Sequence, residues 1–314
     1  MTSPPVLDTP EGQPPVPPGF RSGFVALAGR TNVGKSTLLN RLVGSRISIV
    51  SPVPQTTRVV IRAVARTSEQ EVVYLDTPGV HRPRHRMNEE MVRSAREALS
   101  GVDLLLLLTE GPEGFGPGDE YMLQILAGVQ FPVFLVINKI DAMPRTGLLP
   151  LIDEVRKKRD WAEILPCSAL TGEGCEEMER CIRQRLPEGP PLFPPDFVTD
   201  LPTRLALGEL VREQILLRTR QELPHSTAVI VDGLEETEKG EYRISATIYV
   251  DRDSQKGIVI GKGGEMLKTI GTAARLEMAS FLGSPAHLSL WVKVKKGWRN
   301  DLLLLRLLGI APGG

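Results

Sequence analysis

The run Gly29-Arg30-Thr31-Asn32-Val33-Gly34-Lys35-Ser36 carries the residue types and spacing of a phosphate-handling loop. Its glycines stand at the G-x-x-x-x-G-K-[ST] interval, which lets backbone N–H groups approach an anion without side-chain obstruction. Lys35 adds a point charge for the β/γ-phosphates, and the Ser36 hydroxyl is placed to ligate Mg2+. Val33, Gly34 and Thr37 complete this set of phosphate contacts. Asp76, in Asp76-Thr77-Pro78-Gly79, can hold the same cation through water, and the Gly79 N–H can meet a γ-phosphate. In Asn138-Lys139-Ile140-Asp141 the Asp141 carboxylate, an acceptor only, can take both N–H donors on the guanine edge. Adenine offers no such pair, so a site of this kind rejects it by leaving buried groups unpaired. A loop N–H from Ser168-Ala169-Leu170 can bond the guanine carbonyl. Singly these motifs are weak beyond the first; their order along the chain makes the set specific.

The elements that must position them are legible. Phe24–Ala28 reads as a short buried strand and Ser36–Leu42 as the opening of an amphipathic helix, so the phosphates fall at a helix N-terminus. Val72–Leu75, Val102–Leu108, Val133–Ile137 and Glu163–Pro166 read as further strands, separated by helices. That alternation specifies a mostly parallel sheet covered on both faces, with the ligand at the strands' C-terminal ends. Prolines at 187, 190, 191, 194, 195 and 202 then mark a semi-rigid linker over 187–203. The expected organisation is a disordered tail over 1–19, a nucleotide domain over 20–186, the linker, and a second domain over 204–310.

The second domain reads differently. Leu205–Leu217 has apolar residues at helical spacing. Ser226–Gly233 reads as a strand, and Tyr242–Val250 alternates with period two. Gly261-Lys262-Gly263-Gly264 follows, then a helical pattern over Glu265–Leu282 and a final strand, Leu288–Val294. A Gly-x-x-Gly loop between two helices is the KH device for clamping single-stranded RNA backbone, and this order suits the type II arrangement, an α+β fold. Between Arg252 and Arg306 ten basic residues face four acidic ones, a local excess of +6 in a chain of zero formal charge. Such asymmetry is the footprint of a phosphate-backbone partner. Lys262, Lys293 and Lys295 supply charge there. Trp291 is expected in the core, while for Trp298 stacking on a base and packing both stand open.

The first four motifs resemble those of translation-factor-related GTPases. That resemblance makes Pro54-Gln55-Thr56-Thr57-Arg58 a switch loop, in which either Thr56 or Thr57 joins the Mg2+ shell with GTP bound. Lys35, Thr56, Thr57 and Gly79 become the catalytic candidates, and Ser36, Thr57 and Asp76 the metal set. Ras-type relatives carry glutamine after Asp-x-x-Gly to orient the attacking water. Here the position is Val80, whose side chain bonds nothing, so intrinsic hydrolysis is expected to be slow. Asn32 matches the asparagine with which some such GTPases bind K+ near the phosphates. With the linker and KH pattern included, residues 20–310 resemble the Era family of bacterial ribosome-assembly GTPases. Gln55–Arg58, Arg212-Glu213-Gln214-Ile215 and Pro194–Asp200 add to the match; Thr31, where proline is usual, departs from it. The resemblance implies binding near the 3′ end of 16S rRNA on the 30S subunit, loose inner-membrane attachment in some members, and a monomer.

The 314 residues suffice for two cores, and 38 basic against 38 acidic residues exclude a uniformly nucleic-acid-coating protein. Residues 1–19 lack a signal-peptide pattern. Cys167, Cys175 and Cys181 lack zinc or disulfide spacing, so a cytoplasmic protein is expected. Two rival readings stand beside the RNA clamp. One is a GTPase whose second domain binds a protein or membrane; the other, an ATP-driven enzyme, is disfavoured by Asn138–Asp141. The potassium reading of Asn32 is checked by GTP turnover at matched ionic strength: the rate in KCl is expected to exceed that in NaCl, and equal rates refute it.

Overall fold

The buried apolar runs of the first half dictate a sheet covered on both faces. In the computed structural model, which describes residues 17–51, 56–79, 85–219, 223 and 226–312, the elements begin β1 (Arg21–Gly29), α1 (Lys35–Val43), β2 (Ile61–Arg66), β3 (Gln70–Asp76) and α2 (Arg86–Ala98). They continue β4 (Leu104–Glu110), α3 (Pro117–Ile125), β5 (Val133–Asn138), α4 (Arg145–Val155), β6 (Glu163–Pro166) and α5 (Cys175–Arg185). The second half adds α6 (Thr203–Arg218), β7 (Thr227–Glu236), β8 (Tyr242–Val250), α7 (Asp253–Ile260), α8 (Glu265–Leu282), β9 (Ala286–Val294) and α9 (Leu302–Leu307). The described chain divides into two compact units: 17–48, 60–77 and 96–200 in one, and 49–51, 56–59, 78–79, 85–95 and 201–312 in the other.

In the first unit six strands run in the order β2-β3-β1-β4-β5-β6, every pair parallel except β2 with β3. β4 and β5 are buried at every position, as two-sided coverage demands. Val25, Leu27, Leu38, Leu106, Phe134 and Ile182 centre one core cluster. α1 starts from Gly34 and stops at Gly44, both left-handed, with φ of 95° and 73°. Because the strands carrying the motifs are parallel, Gly29, Asp76, Asn138 and Pro166 end them on one edge of the sheet.

Part of the expected linker is built into this unit. Ser22 Oγ donates to Pro190 O at 2.7 Å, and the fully buried Glu71 accepts from the N–H groups of Leu192 (2.6 Å) and Phe193 (3.1 Å). Val64 N donates to Val198 O at 2.9 Å. Residues 187–200 are therefore an appendage of the first sheet, and only the last residues before α6 remain as a connection. Proline composition marked the stretch as a semi-rigid linker but could not reveal its backbone partners.

In the second unit β8 is central, antiparallel to β7 and parallel to β9. One face packs α6, α7 and α8 through Leu207, Val211, Ile215, Val259, Ile270 and Met278. On the other, Ala228, Ile230 and Tyr249 join Trp298, Leu304 and Leu305 with Met87 and Met91 of α2. The expected boundary at 204 thus missed two interior segments that cluster here.

The expectation for Trp291 is reversed, and of the two roles open to Trp298 it takes packing. Trp298 is fully buried, its indole N–H donates to Ser226 O at 2.9 Å, and the Arg58 guanidinium lies 5.6 Å from its ring centroid. It is core, unavailable to a base. Trp291 is 50% exposed, because strand alternation directs it to the face away from α7 and α8. Replacing Trp298 by Ala removes a large buried ring and orphans a carbonyl, so a loss of about 3–5 kcal/mol is expected, read as an earlier denaturation midpoint by near-ultraviolet circular dichroism.

Candidate nucleotide site and RNA-binding loop

The phosphate loop closes on Lys35. Its ammonium, 6% exposed, donates to Gly29 O at 3.0 Å and Arg30 O at 2.8 Å. Burial pushes its pKa down to about 8, with Asp76 partly opposing and Arg30 adding to the fall. Asn32 adopts φ 67°, one of two described non-glycine residues in the left-handed region; the other is Lys139. Gly34 is required on two counts: φ is +95°, and a Cβ would lie 2.2 Å from Asn138 Nδ2.

Ser36 Oγ donates to Asp76 Oδ2 at 2.9 Å, and Ser48 Oγ to the same oxygen at 3.0 Å. Asp76 is fully buried. A hydroxyl and a carboxylate converging at that distance form the hard oxygen donor set Mg2+ takes when phosphates supply further ligands. These residues would hold the ion, and bound there it would neutralise charge on the β- and γ-oxygens. Ser48 was not read from the sequence; it lies in an irregular stretch fixed by Asn40, whose Oδ1 accepts from Ile47 N and Ser48 N at 2.9 Å each.

The base-side motifs meet through Asn138, 2% exposed. Its Nδ2 donates to Val33 O at 2.7 Å and its Oδ1 accepts from Ala169 N at 2.9 Å. One carboxamide therefore joins the phosphate loop to the Ser168-Ala169-Leu170 loop. Arg41 of α1 holds that loop from the other side, Nε donating to Ala169 O at 3.1 Å and a guanidinium nitrogen to Leu170 O. Ser168 Oγ accepts from Thr171 N at 3.1 Å, and Leu170 is exposed. Asp141, exposed on a short 3-10 turn, is free to meet a base edge. Lys139 reaches back to Glu110, which also pairs with Arg30 at 3.4 Å. Arg30 continues to Glu113 (2.9 Å) and to the fully buried Asp119 (3.3 Å). Burial raises the Asp119 pKa, while the Gly116 N–H and Arg30 pull it back. The acidic half of this network, Glu110, Glu113 and Asp119, was missed because those residues lie outside the motifs that carry Arg30 and Lys139.

The switch candidates belong to the second unit. Thr57 is buried, and Thr56 O accepts from the Arg212 guanidinium, itself 1% exposed and paired with Glu209. Arg58 Nη1 donates to Thr227 O at 2.8 Å; burial, then Arg212, pushes its pKa down. Gly79 is buried. Val80, His81, Arg82, Pro83, Arg84, Pro52, Pro54 and Gln55 lie outside the described residues.

In the same unit the Gly-x-x-Gly loop joins α7 to α8 as the motif requires. Gly261, Gly263 and Gly264 have φ of 73°, 62° and 84°. A Cβ on Gly261 would fall 2.6 Å from Met266 Cβ, whereas above Gly263 and Gly264 nothing lies within 4 Å. Lys262 is exposed at the turn, and so is Lys293 on β9; Lys295 pairs with Asp301 at 2.6 Å. Of the RNA candidates, Trp298 alone is excluded.

A P-loop with a guanine-type base motif, followed by a type II KH unit, defines an RNA-associated GTPase. Family models agree: residues 24–139 match a 50S ribosome-binding GTPase family and 222–299 a KH domain. GTPase Era of Lactobacillus helveticus is 47% identical over 92% of this chain and 96% of its own length. A solved structure of Era with MgGDPNP and nucleotides 1506–1542 of 16S ribosomal RNA superposes with a TM-score of 0.90 at 42% identity, covering 93% of this chain and all of that one. A variant of Aquifex aeolicus Era bound to GDP.AlF4- gives the same values. The chain belongs to the Era family of GTPases.

The depressed Lys35 pKa sets a pH dependence. A phosphate beside Nζ restores the charged form, so above about pH 8 binding must take up a proton and weakens as pH rises. GDP affinity is expected to fall between about pH 7 and 9, with proton uptake visible by calorimetry in buffers of differing ionisation enthalpy.

Proposed function

We propose that this chain is a GTP-switched clamp on 16S rRNA that acts in assembly of the 30S subunit. GTP and Mg2+ would occupy the site around Lys35, Ser36 and Asp76, with Asp141 and the Ala169 loop selecting guanine. Thr56 or Thr57 and Gly79 would sense the γ-phosphate, and Lys35 would stabilise its charge during hydrolysis. Slow turnover without a partner, expected from Val80, makes the bound nucleotide a timer, and K+ at Asn32 would quicken it. The Gly261–Gly264 loop would hold single-stranded RNA, with Lys262 at its tip and Lys293 and Lys295 adding positive charge elsewhere on the same unit.

The observation that carries this reading is the pairing of two intact loops: a phosphate loop tied to a guanine motif through Asn138, and a glycine-turned, lysine-tipped KH loop open to solvent. The relative solved with nucleotides 1506–1542 of 16S rRNA supports that RNA as partner. Among the described residues no helix is long and apolar enough to cross a membrane. We infer a monomer acting in the cytoplasm, with any membrane contact peripheral on the cytoplasmic face. A protein or membrane partner for the KH unit is the reading this displaces.

Filter binding to RNA of nucleotides 1506–1542 across a salt series tests it. Log affinity should fall linearly with log salt, by about 0.7 for each phosphate neutralised on a single strand. Gly261→Asp with Gly264→Asp should abolish binding while leaving GDP affinity intact. A weak, salt-insensitive response unaffected by that double change refutes the reading.

A further inference from the structure

Trp291 is the one large aromatic on β8 or β9 that stands half exposed, and the KH loop does not explain it. β9 is an edge strand whose residues alternate: Leu288, Leu290 and Val292 pack toward α7 and α8, while His287, Ser289, Trp291 and Lys293 face the other way. In register these outward residues stand opposite Arg243, Ser245, Thr247 and Tyr249 of β8. The helices, and the Gly261–Gly264 turn between them, lie on the opposite face of the sheet.

The chemistry of this outer face is uneven in a useful way. Neither β8 nor β9 contains an acidic residue. The acids nearby are on β7 and its turn. Asp232 is engaged by the Thr247 hydroxyl at 2.6 Å, Glu236 by Tyr242 at 3.2 Å and Glu241 by His287 at 3.3 Å, while Glu235 stands opposite Arg243 in register. Trp291 itself is flanked on β9 by Ser289 and Lys293 and stands opposite Thr247, whose hydroxyl is the one that engages Asp232. Lys296, exposed just beyond the strand, extends the positive side.

A lone indole set among hydroxyls and amines is a poor protein-docking patch, which needs contiguous apolar area. It is what a single-stranded nucleic acid uses: one base stacks on the ring while a neighbouring phosphate meets an ammonium. We propose that the outer face of this sheet, through Trp291 and Lys293, is a second contact for single-stranded RNA, separate from the Gly261–Gly264 clamp. The inference rests on the reading of the KH unit as an RNA binder and adds a base-stacking site to it. The strand leaving the clamp would pass round the β9 edge and lay one base on the indole.

The test uses the full chain loaded with a GTP analogue and RNA of nucleotides 1506–1542. Trp291→Ala should weaken binding by roughly tenfold or more, the usual cost of losing one stacked base, without changing the salt slope. Trp291→Phe should keep most of the affinity. Indole emission of the wild type should be quenched by RNA, and Trp291→Phe should lose most of that quenching, since Trp298 is buried and Trp161, the third tryptophan, belongs to the first unit with its indole N–H held by Val155 O. Lys293→Gln should lower the salt slope by about 0.7. RNA-free GTP turnover of the Trp291 variants should match the wild type.

Wild-type affinity in Trp291→Ala together with unchanged emission on RNA addition overturns the proposal. Loss of self-association in sedimentation, or of binding to anionic vesicles, with RNA affinity intact overturns it too, assigning the face to a second copy or to lipid. The clamp is read separately: if Gly261→Asp with Gly264→Asp binds RNA as well as the wild type, the KH reading fails, whatever Trp291 does.

Discussion

The nucleotide site hangs on one carboxamide. Asn138 donates to the phosphate loop at Val33 O and accepts from the Ala169 N–H, so two loops from distant parts of the chain share one rigid group. The arrangement works only because position 34 has no side chain, since a Cβ there would collide with Nδ2. A buried amide with both ends satisfied fixes geometry; left half-paired it would cost its full desolvation. Glycine at 34 and asparagine at 138 are thus one structural decision made at two places in sequence.

The second unit shows a different solution to a harder problem, the burial of cations. Arg58 and Arg212 are both nearly inaccessible, at 4% and 1%. They are tolerated because each finds carbonyl oxygen: Arg58 at Thr227, Arg212 at Thr56, with Glu209 balancing one charge and the Trp298 ring facing the other. Guanidinium groups suit this role because several directional donors can be satisfied from one plane. The segment bearing the switch threonines is held at the Thr56 carbonyl and through the Arg58 guanidinium.

What the sequence disclosed followed from how local each signal is. The parallel strands, the helix limits near Glu265 and Leu282, and the loops at Gly34 and Gly261–Gly264 were legible because hydrophobic period and glycine placement act over a few residues. Ser48, Glu110 and Asp119 were not, because their roles are defined only when remote loops converge. The sequence did not place the tryptophans, for a subtler reason. Alternation gave Trp291 a face but could not say which face of the sheet the helices cover, and Trp298 follows the strand, where no period applies. The Pro187–Pro202 stretch was marked as a linker by composition, yet its pairing with Glu71 and β2 depends on long-range contacts.

That pairing matters for a property unrelated to nucleotide or RNA. β2 is an edge strand, and open edges invite other chains to add on and aggregate. Here Val198 and Thr199 occupy that edge, Thr199 Oγ1 donating to Arg62 O at 2.7 Å. The segment that arrives there is thick with prolines, which lack the N–H a further strand would need. The opposite edge, β6, is only four residues long and itself ends in Pro166. Both margins of the first sheet are thus closed to strand addition, which guards this unit against edge-to-edge aggregation.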